Sequence, residues 1–290
     1  MKYATMSNLR PEYSVTLMSR VFGVSKSGYY AWLKRSPSRR SREDARLAVA
    51  LKAAHQRTRQ TYGPERIQAE LAGEGFQVGV GRIKRLRRQL GLRCKQKRKF
   101  KATTNSTHGL AVAENVLAQD FSTTRPNQVW VSDITYIPTG EGWLYLAGIK
   151  DLHTCEIVGY ALAPRMTKEL VECALFRAVS QHRPPRGIIV HSDRGSQYCA
   201  HDYQRILCQF GMQCSMSRRG NCYDNAPMES FWGSLKNELV HHRRYSTRAE
   251  ATGEIIEYIE IFYNRQRRHT KINNLAPAVF AKQYALRAAA

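Results

Sequence analysis

The sequence predicts an α/β domain built around a mixed sheet and preceded by a strongly basic, all-helical region. Between residues 123 and 285 the apolar pattern follows the order βββαβαβα, with acidic residues at strand ends. Residues 1–120 carry 25 basic and 8 acidic side chains, whereas residues 121–290 carry 21 and 15. The first part is therefore a basic module, and the second has the charge balance of an ordinary globular domain.

The formal net charge of the 290 residues is +23. A charge of this size favours an anionic partner, with nucleic acid ahead of a membrane surface. No segment has the apolar length of a membrane span, and the first residues lack the apolar stretch of a secretory signal. Seven scattered cysteines without a CxxC pair indicate reduced thiols, although Cys199, His201, Cys208 and Cys214 leave a zinc site open as the weaker alternative. We expect a cytoplasmic protein that does not associate with membranes.

Residues 1–43 are predicted to form a helix-turn-helix-like region. Leu17, Met18, Val21 and Phe22 have helical spacing, and the "GVS" turn is followed by a second helix that Ser25 caps. Two helices joined by a tight glycine-containing turn are typical of DNA-binding helix-turn-helix units, although any helical hairpin has the same pattern. The charge of the module favours the DNA-binding interpretation.

Residues 44–93 are predicted to form a second helical, helix-turn-helix-like DNA-binding region. Its last helix has an apolar stripe of Ile83, Leu86 and Leu90. Five cations cover the remaining surface: Arg82, Lys84, Arg85, Arg87 and Arg88. We interpret them as contacts to DNA phosphates, because Lys and Arg supply the sequence-independent part of DNA affinity; a solvated surface helix is the alternative. Residues 94–122 follow as a basic linker.

Residues 123–285 are predicted to form the α/β domain. Three successive strands are expected at 128–137, 142–152 and 156–163, followed by a helix at 168–181. A short strand at 186–193, a helix at 203–212, a strand at 213–217 and a helix from Pro227 complete the order.

Three acids stand where an α/β sheet usually places its chemistry. Asp133 lies within the first strand, Asp193 at the carboxyl end of the fourth and Glu229 at the start of the last helix. A buried acid such as Asp133 is costly unless it is paired or bound to metal, and carboxylates are the ligands that hard cations prefer. Two such ions can activate the attacking oxygen and stabilise the leaving oxygen in phosphoryl transfer. A turn role for Asp193 and a helix-dipole role for Glu229 are the ordinary alternatives.

Four stretches of this domain resemble the catalytic domain of bacterial insertion-sequence transposases: "WVSDITYI", "HSDRGSQY", "SRRGNCYDNAPMESFWGSLKNEL" and "FYNRQRRHTKINNLAPAVF". The resemblance is to the IS-three family, in the protein type encoded by its second reading frame, within the DDE superfamily that includes retroviral integrases. Thirty-five residues separate Asp193 from Glu229, which is similar to the D-D-35-E spacing of that group. The resemblance also covers "YGPERIQAEL" in the second helical region.

The resemblance implies a ribonuclease-H-like fold with a mixed five-stranded sheet. It implies that Asp133, Asp193 and Glu229 are the catalytic metal ligands, with Mg²⁺ as the ion, two ions bound, and Mn²⁺ able to substitute. Lys236, seven residues after Glu229, corresponds to the basic residue that often follows the glutamate, and it would share a helix face with Glu229. Six further cations are predicted to contact DNA phosphates: Arg218, Arg219, Arg265, Arg267, Arg268 and Lys271.

The function implied is that of a DNA transposase, which cleaves and joins strands at the ends of an insertion sequence by metal-dependent phosphoryl transfer. Its partners would be double-stranded DNA, namely the terminal inverted repeats and the target. They would also include further copies of the chain and the first-reading-frame protein, separate or fused by frameshifting. The expected location is the bacterial nucleoid. The alternatives are a DNA-binding regulator without catalysis and a ribonuclease-H-type nuclease.

The stretch "NCYDNAPMESFW" contains two acids, Asp224 and Glu229, and only one is expected in the metal site. Pro227 suits the first helical position and so places Glu229 on the first turn. Asp224 falls in the preceding turn, where aspartate is common for capping reasons. We therefore predict that Asp224 shapes the loop and that Phe231 and Trp232 anchor the helix in the core.

Overall fold

A computed structural model of the chain describes residues 2–95, 112–218 and 222–289. The predicted α/β class is confirmed: a helical amino-terminal part precedes a five-stranded mixed sheet with helices on both faces, the arrangement of the ribonuclease-H-like fold. The division into four regions stays a prediction, and most of the basic linker lies outside the described residues.

The first three helices are α1 (Lys2–Asn8), α2 (Val15–Phe22) and α3 (Lys26–Lys34). The Ser25 hydroxyl accepts a hydrogen bond from the Gly28 amide at the start of α3, as predicted. Gly23 ends α2 in the left-handed conformation, with φ of +60°, which glycine adopts without steric cost. The predicted helix–turn–helix is confirmed, whereas α1 was not predicted.

The next three helices are α4 (Arg39–Arg57), α5 (Pro64–Gly73) and α6 (Val80–Gln89). Helix α4 begins five residues before the expected position because the Ser38 hydroxyl caps it and accepts from the Ser41 amide. The three helices enclose one apolar core, to which Leu51, Ile67 and Ile83 contribute.

The sheet contains strands β1 (Val129–Thr139), β2 (Gly142–Asp151), β3 (Ile157–Ala163), β4 (Ile189–Ser192) and β5 (Gln213–Met216). Their order is β3-β2-β1-β4-β5, so β1 is central. Antiparallel pairing joins β1, β2 and β3, and parallel pairing joins β1 to β4 and β4 to β5. The predicted meander is confirmed, and β4 is shorter than the predicted strand.

Two apolar cores lie on opposite faces of this sheet. Helices α7 (Lys168–His182), α8 (Ser196–Cys199) and α9 (His201–Gln209) cover one face, and α10 (Ala226–Glu238) and α11 (Arg248–Glu257) cover the other. A π-helical segment (Tyr258–Tyr263) continues α11, and α12 (Pro277–Ala288) ends the fold. Short 3-10 turns span Cys222–Asn225, Val240–His242 and Thr270–Ile272. Among the described residues, none of the helices has both the length and the apolar composition to cross a membrane.

Candidate active site

Asp133 lies on the central strand, where its carboxylate accepts two hydrogen bonds. The Ile134 amide donates to Oδ1 at 2.8 Å, and the Trp232 indole nitrogen donates to Oδ2 at 2.9 Å. On β2 the residue opposite Asp133 is Gly148, and a Cβ atom there would lie 2.8 Å from the Trp232 ring. The absence of a side chain at Gly148 therefore lets Trp232 approach the sheet and reach Asp133.

Asp193 follows β4, the parallel neighbour of β1. Val131 and His191 are the last partners in the parallel register. Asp133 lies two residues further along β1, and Asp193 lies two residues further, just after the end of β4. The Gly195 amide donates to Asp193 Oδ1 at 2.9 Å, which fixes the turn after the strand. The edge of the sheet therefore brings these two acids together as predicted.

Glu229 is exposed on the first turn of α10, as the position of Pro227 predicted. Two contacts to the sheet hold this end of the helix. Asn225 Nδ2 donates to the Ser132 carbonyl at 3.0 Å, and Lys150 Nζ donates to the Pro227 carbonyl at 3.3 Å. The start of α10 is thus held beside the strand that carries Asp133.

The three acids interact electrostatically. Burial, together with the charge of Asp193 and more weakly that of Glu229, raises the pKa of Asp133 to about 7, although the bonds from Ile134 and Trp232 favour the charged form. Negative charge is therefore concentrated around Asp133 on β1. A bound cation would relieve this repulsion, and carboxylate oxygens suit a hard divalent ion.

The carboxylates do not form a closed metal cluster in this arrangement. Among the residues that the structure describes, no three His, Cys, Asp or Glu side chains are gathered closely enough to hold a metal ion as they stand. This finding covers both the acidic set and the alternative zinc set, in which Cys199 is buried and Cys208 is exposed. Asp133 and Asp193 have the chemistry and the mutual repulsion of metal ligands, and the charge of Glu229 has a weaker effect on Asp133.

Lys236 lies on the same helix as Glu229 and Trp232, two turns after Glu229. Its ammonium is 5.0 Å from the centre of the Tyr136 ring, a cation–π contact. Burial lowers the pKa of Lys236, and the charge of Asp133 opposes that effect. A cation is therefore held near Asp133 on β1.

Asp224 has a structural environment, as predicted. It is buried and accepts hydrogen bonds from the Arg218 amide and guanidinium and from the side-chain amides of Asn115 and Gln119. The Arg218 guanidinium holds the pKa of this carboxyl well below its usual range. Phe231 and Trp232 are buried in the core, also as predicted.

Sequence reasoning missed the contact between Trp232 and Asp133. The helical spacing of the sequence could have indicated this contact, because positions 229, 232 and 236 fall on one face of α10. An indole donor on that face, three residues after the acid, was a candidate partner for a strand carboxylate.

The cations of α6 differ in their availability to DNA. Arg82 and Arg85 pair with Asp44 at 2.7 and 2.6 Å, whereas Lys84 and Arg88 are exposed. Arg87 corrects the prediction: it is buried, and its guanidinium donates to the Tyr62 carbonyl at 2.8 Å. A buried guanidinium with such a partner is not available to a phosphate.

The predicted cations of the second domain divide in the same way. Arg265 and Arg218 are both exposed, but Arg218 is ion-paired with Asp224. Arg268 pairs with Glu70 at 2.5 Å, and Lys271 Nζ donates to the Phe121 and Leu152 carbonyls. Arg267 is a second correction, because it is buried and ion-paired to Glu238 at 2.8 Å. Arg219 lies outside the described residues.

Parts of the sequence match family models of two types of domain. The integrase core domain matches residues 123–222, and a second integrase core family matches residues 210–277. The HTH-like domain matches residues 41–100. The integrase core is a metal-dependent catalytic family, and HTH-like and integrase domains act on DNA.

Two relatives span nearly the whole chain. The uncharacterized 31 kDa protein of insertion element IS600 from Shigella sonnei is 62% identical over 92% of this chain and 98% of its own length. Transposase InsF for insertion sequence IS3A from Escherichia coli is 42% identical over 97% of this chain and 98% of its own.

Solved structures with a similar arrangement include two retroviral catalytic cores. The BIV integrase core domain has a TM-score of 0.44 and 15% identity, covering 57% of this chain and 99% of its own. The HTLV-2 integrase core in complex with magnesium has a TM-score of 0.43 and 14% identity, covering 54% and 97%. On the sequence matches to InsF and to the two domain types, the chain belongs to the IS-three (IS3) family of insertion-sequence transposases and is a DNA transposase.

Proposed function

We propose that the transposase cuts and joins DNA strands at the ends of its insertion sequence with Asp133, Asp193 and Glu229 as the metal-binding acids. The observation that supports this most directly is the repulsion between Asp133 and Asp193, which lie two residues beyond a register pair of the adjacent parallel strands β1 and β4. The proposed ions are two Mg²⁺, with Mn²⁺ as a substitute. When bound, they would supply Lewis-acid activation of the attacking oxygen and stabilisation of the leaving oxygen.

The residues around the acids have separate tasks in this proposal. Trp232 and the Ile134 amide hold the Asp133 carboxylate in one orientation, so both of its oxygens are directed by fixed donors. Lys236 places a positive charge beside the acids, where it would hold a DNA phosphate. In the first reaction water would attack the phosphodiester at the element end, and the P–O bond that breaks would leave a 3′-hydroxyl on the element and a 5′-phosphate on the adjoining strand. That hydroxyl would then attack a second phosphodiester in line, forming one P–O bond as another breaks and releasing a strand that ends in a 3′-hydroxyl.

The proposed DNA substrates are the terminal inverted repeats of the element and a target duplex. Lys84, Arg88 and Arg265 are exposed members of the predicted set of phosphate contacts. Arg218 and Lys271 are exposed too, but Arg218 pairs with Asp224 and Lys271 donates to two backbone carbonyls. Two element ends must be held together during joining, so we propose a dimer or higher assembly on DNA. The first-reading-frame protein, separate or fused, is a further proposed partner, and the proposed cellular location is the nucleoid.

The experiment is a joining assay with the full chain, a labelled duplex that carries the terminal repeat, and Mg²⁺. We expect joined products with the wild-type protein and neither cleavage nor joining with Asp133→Asn, Asp193→Asn or Glu229→Gln, while DNA binding remains. The matched control is Asp202→Asn, which removes a surface carboxylate paired with Arg205 and should leave joining intact. Normal joining by any of the three site variants would contradict the assignment of that acid.

A further inference from the structure

An open recess of about 530 Å³ lies beyond the carboxyl end of α10. Among the described residues, those that line it are all basic: Lys95, His241, His242, Arg243 and Arg244. Lys95 lies at the start of the predicted basic linker, directly after the second helical region, whereas the other four follow α10. We call this feature the basic recess.

The Lys95 side of the basic recess is fixed to the catalytic domain. The Lys95 amide donates to the Gln60 carbonyl at 2.8 Å. The neighbouring Arg59 forms an ion pair with Glu257, and its guanidinium lies 5.4 Å from the centre of the Tyr258 ring. Lys95 is therefore attached through residues 59–60 to the π-helical segment.

The opposite side is fixed through the same tyrosine. The Tyr258 hydroxyl donates to Glu238 Oε2 at 2.8 Å, and Glu238 is the last residue of α10. His242 Nε2 lies 2.8 Å from the Asn237 carbonyl oxygen, which ties the following turn to the helix end. Because Tyr258 contacts both sides, the chain segments that carry the five basic side chains are held in place by groups outside the recess.

The chemistry of the recess suits a phosphodiester backbone. Basic side chains around one open space attract an anion, and DNA phosphates occur at regular short spacing along a strand. The recess follows the end of the helix whose first turn carries Glu229. Glu229 and Glu238 are nine residues apart on α10, which is ~14 Å along the helix axis at 1.5 Å per residue.

We propose that the basic recess binds the backbone of the DNA substrate at a distance from the reacting phosphodiester, beyond the carboxyl end of α10. DNA held there would contact two parts of the chain at once, since Lys95 directly follows the second helical region and Arg244 belongs to the catalytic domain. This inference rests on the proposed function in one respect: it assumes that the DNA bound at the catalytic acids is the end of the insertion sequence.

The test compares Lys95→Gln/Arg244→Gln with the wild-type full chain. Both side chains are exposed, and these substitutions spare Arg243, which pairs with Glu254, and His242. Binding is measured in EDTA at several salt concentrations with a terminal-repeat duplex and a scrambled duplex. Losing two phosphate contacts should reduce the steepness of the plot of log affinity against log salt concentration by about 2. It should also weaken binding roughly eightfold per contact at 0.1 M salt, and the loss should be equal for both duplexes.

The matched control is Lys282→Gln/Arg287→Gln, which removes the same two residue types from the exposed surface of α12. We expect this control to keep the wild-type salt slope. An unchanged slope in the recess variant, or an equal loss in the control, would overturn the proposal. A wild-type protein that shows the expected slopes but joins no strands would contradict the proposed function and leave the recess proposal supported.

Discussion

The indole nitrogen of Trp232 donates a hydrogen bond to Asp133 Oδ2 across 2.9 Å, and this contact joins the helix of Glu229 to the strand of Asp133. The bond has two consequences. It favours the charged form of a carboxylate that burial and the neighbouring acids push towards protonation. It also sets the orientation of α10 on the sheet, because the indole ring packs over Gly148.

Trp232→Phe should weaken the response to metal more than it weakens the fold. The phenyl ring keeps most of the packing, but Asp133 loses a donor that both orients it and favours its ionisation. Partners of this kind usually contribute 10–100-fold to metal affinity, so we expect the Mg²⁺ concentration for half-maximal joining to rise by roughly that factor. The measurement is the single-turnover joining rate across a Mg²⁺ titration.

Phe231→Leu is the control for that variant, since Phe231 is a buried neighbour that packs on Tyr263. The lost packing should lower the free energy of unfolding by about 1 kcal/mol, and with it the melting temperature. The Mg²⁺ requirement for joining should not change. If both variants shifted the Mg²⁺ requirement equally, the effect would come from helix packing and not from the hydrogen bond.

The order of the strands and the position of the acids could be predicted because they depend on local patterns. Alternating apolar residues define the strands, and the carboxyl ends of adjacent parallel strands necessarily meet at one edge of the sheet. Asp133 and Asp193 therefore came together as expected. The indole donor was missed because whether a helix face meets a particular strand residue depends on packing, here on the space over Gly148.

The role of each cation could not be predicted from the sequence. Arg87 and Arg85 are two residues apart on α6, yet one is buried against the Tyr62 carbonyl and the other reaches Asp44 at the surface. Each partner is distant in the sequence, and a charge count contains no information about it. The basic recess was missed for the same reason, since Lys95 and Arg244 become neighbours only in the folded chain.

Lys236→Met should reduce catalysis and leave stability nearly unchanged. Methionine keeps an unbranched apolar side chain at this position but removes the ammonium that contacts the Tyr136 ring, and with it the positive charge beside the acids. We expect the joining rate at saturating DNA to fall by roughly tenfold to a hundredfold, as for the loss of one electrostatic contact to a reacting group. Lys236→Arg should recover part of the rate, and a methionine variant as fast as the wild type would exclude a role for the charge.

Asp224→Asn should destabilise the loop before α10 in a pH-dependent way. Arg218 holds the pKa of Asp224 below its unfolded value, so its carboxylate contributes stability at pH values above about 4 that is lost as the pH falls. We expect a loss of about 1–3 kcal/mol at pH 7, measured by denaturant unfolding. The difference between wild type and variant should shrink between pH 5 and pH 3, and a constant difference would contradict the electrostatic cause.

Arg267→Met should destabilise the fold without changing the salt dependence of DNA binding. Arg267 and Glu238 are 6% and 7% exposed, so removing the guanidinium leaves a buried carboxylate unpaired, which costs about 3–5 kcal/mol. The exposed neighbour Arg265 provides the control, because Arg265→Met should leave the melting temperature unchanged. The double variant Arg267→Met/Glu238→Met should regain most of the lost stability, since no charge then remains buried. A lower salt slope for a folded Arg267→Met protein would instead indicate that Arg267 contacts phosphate.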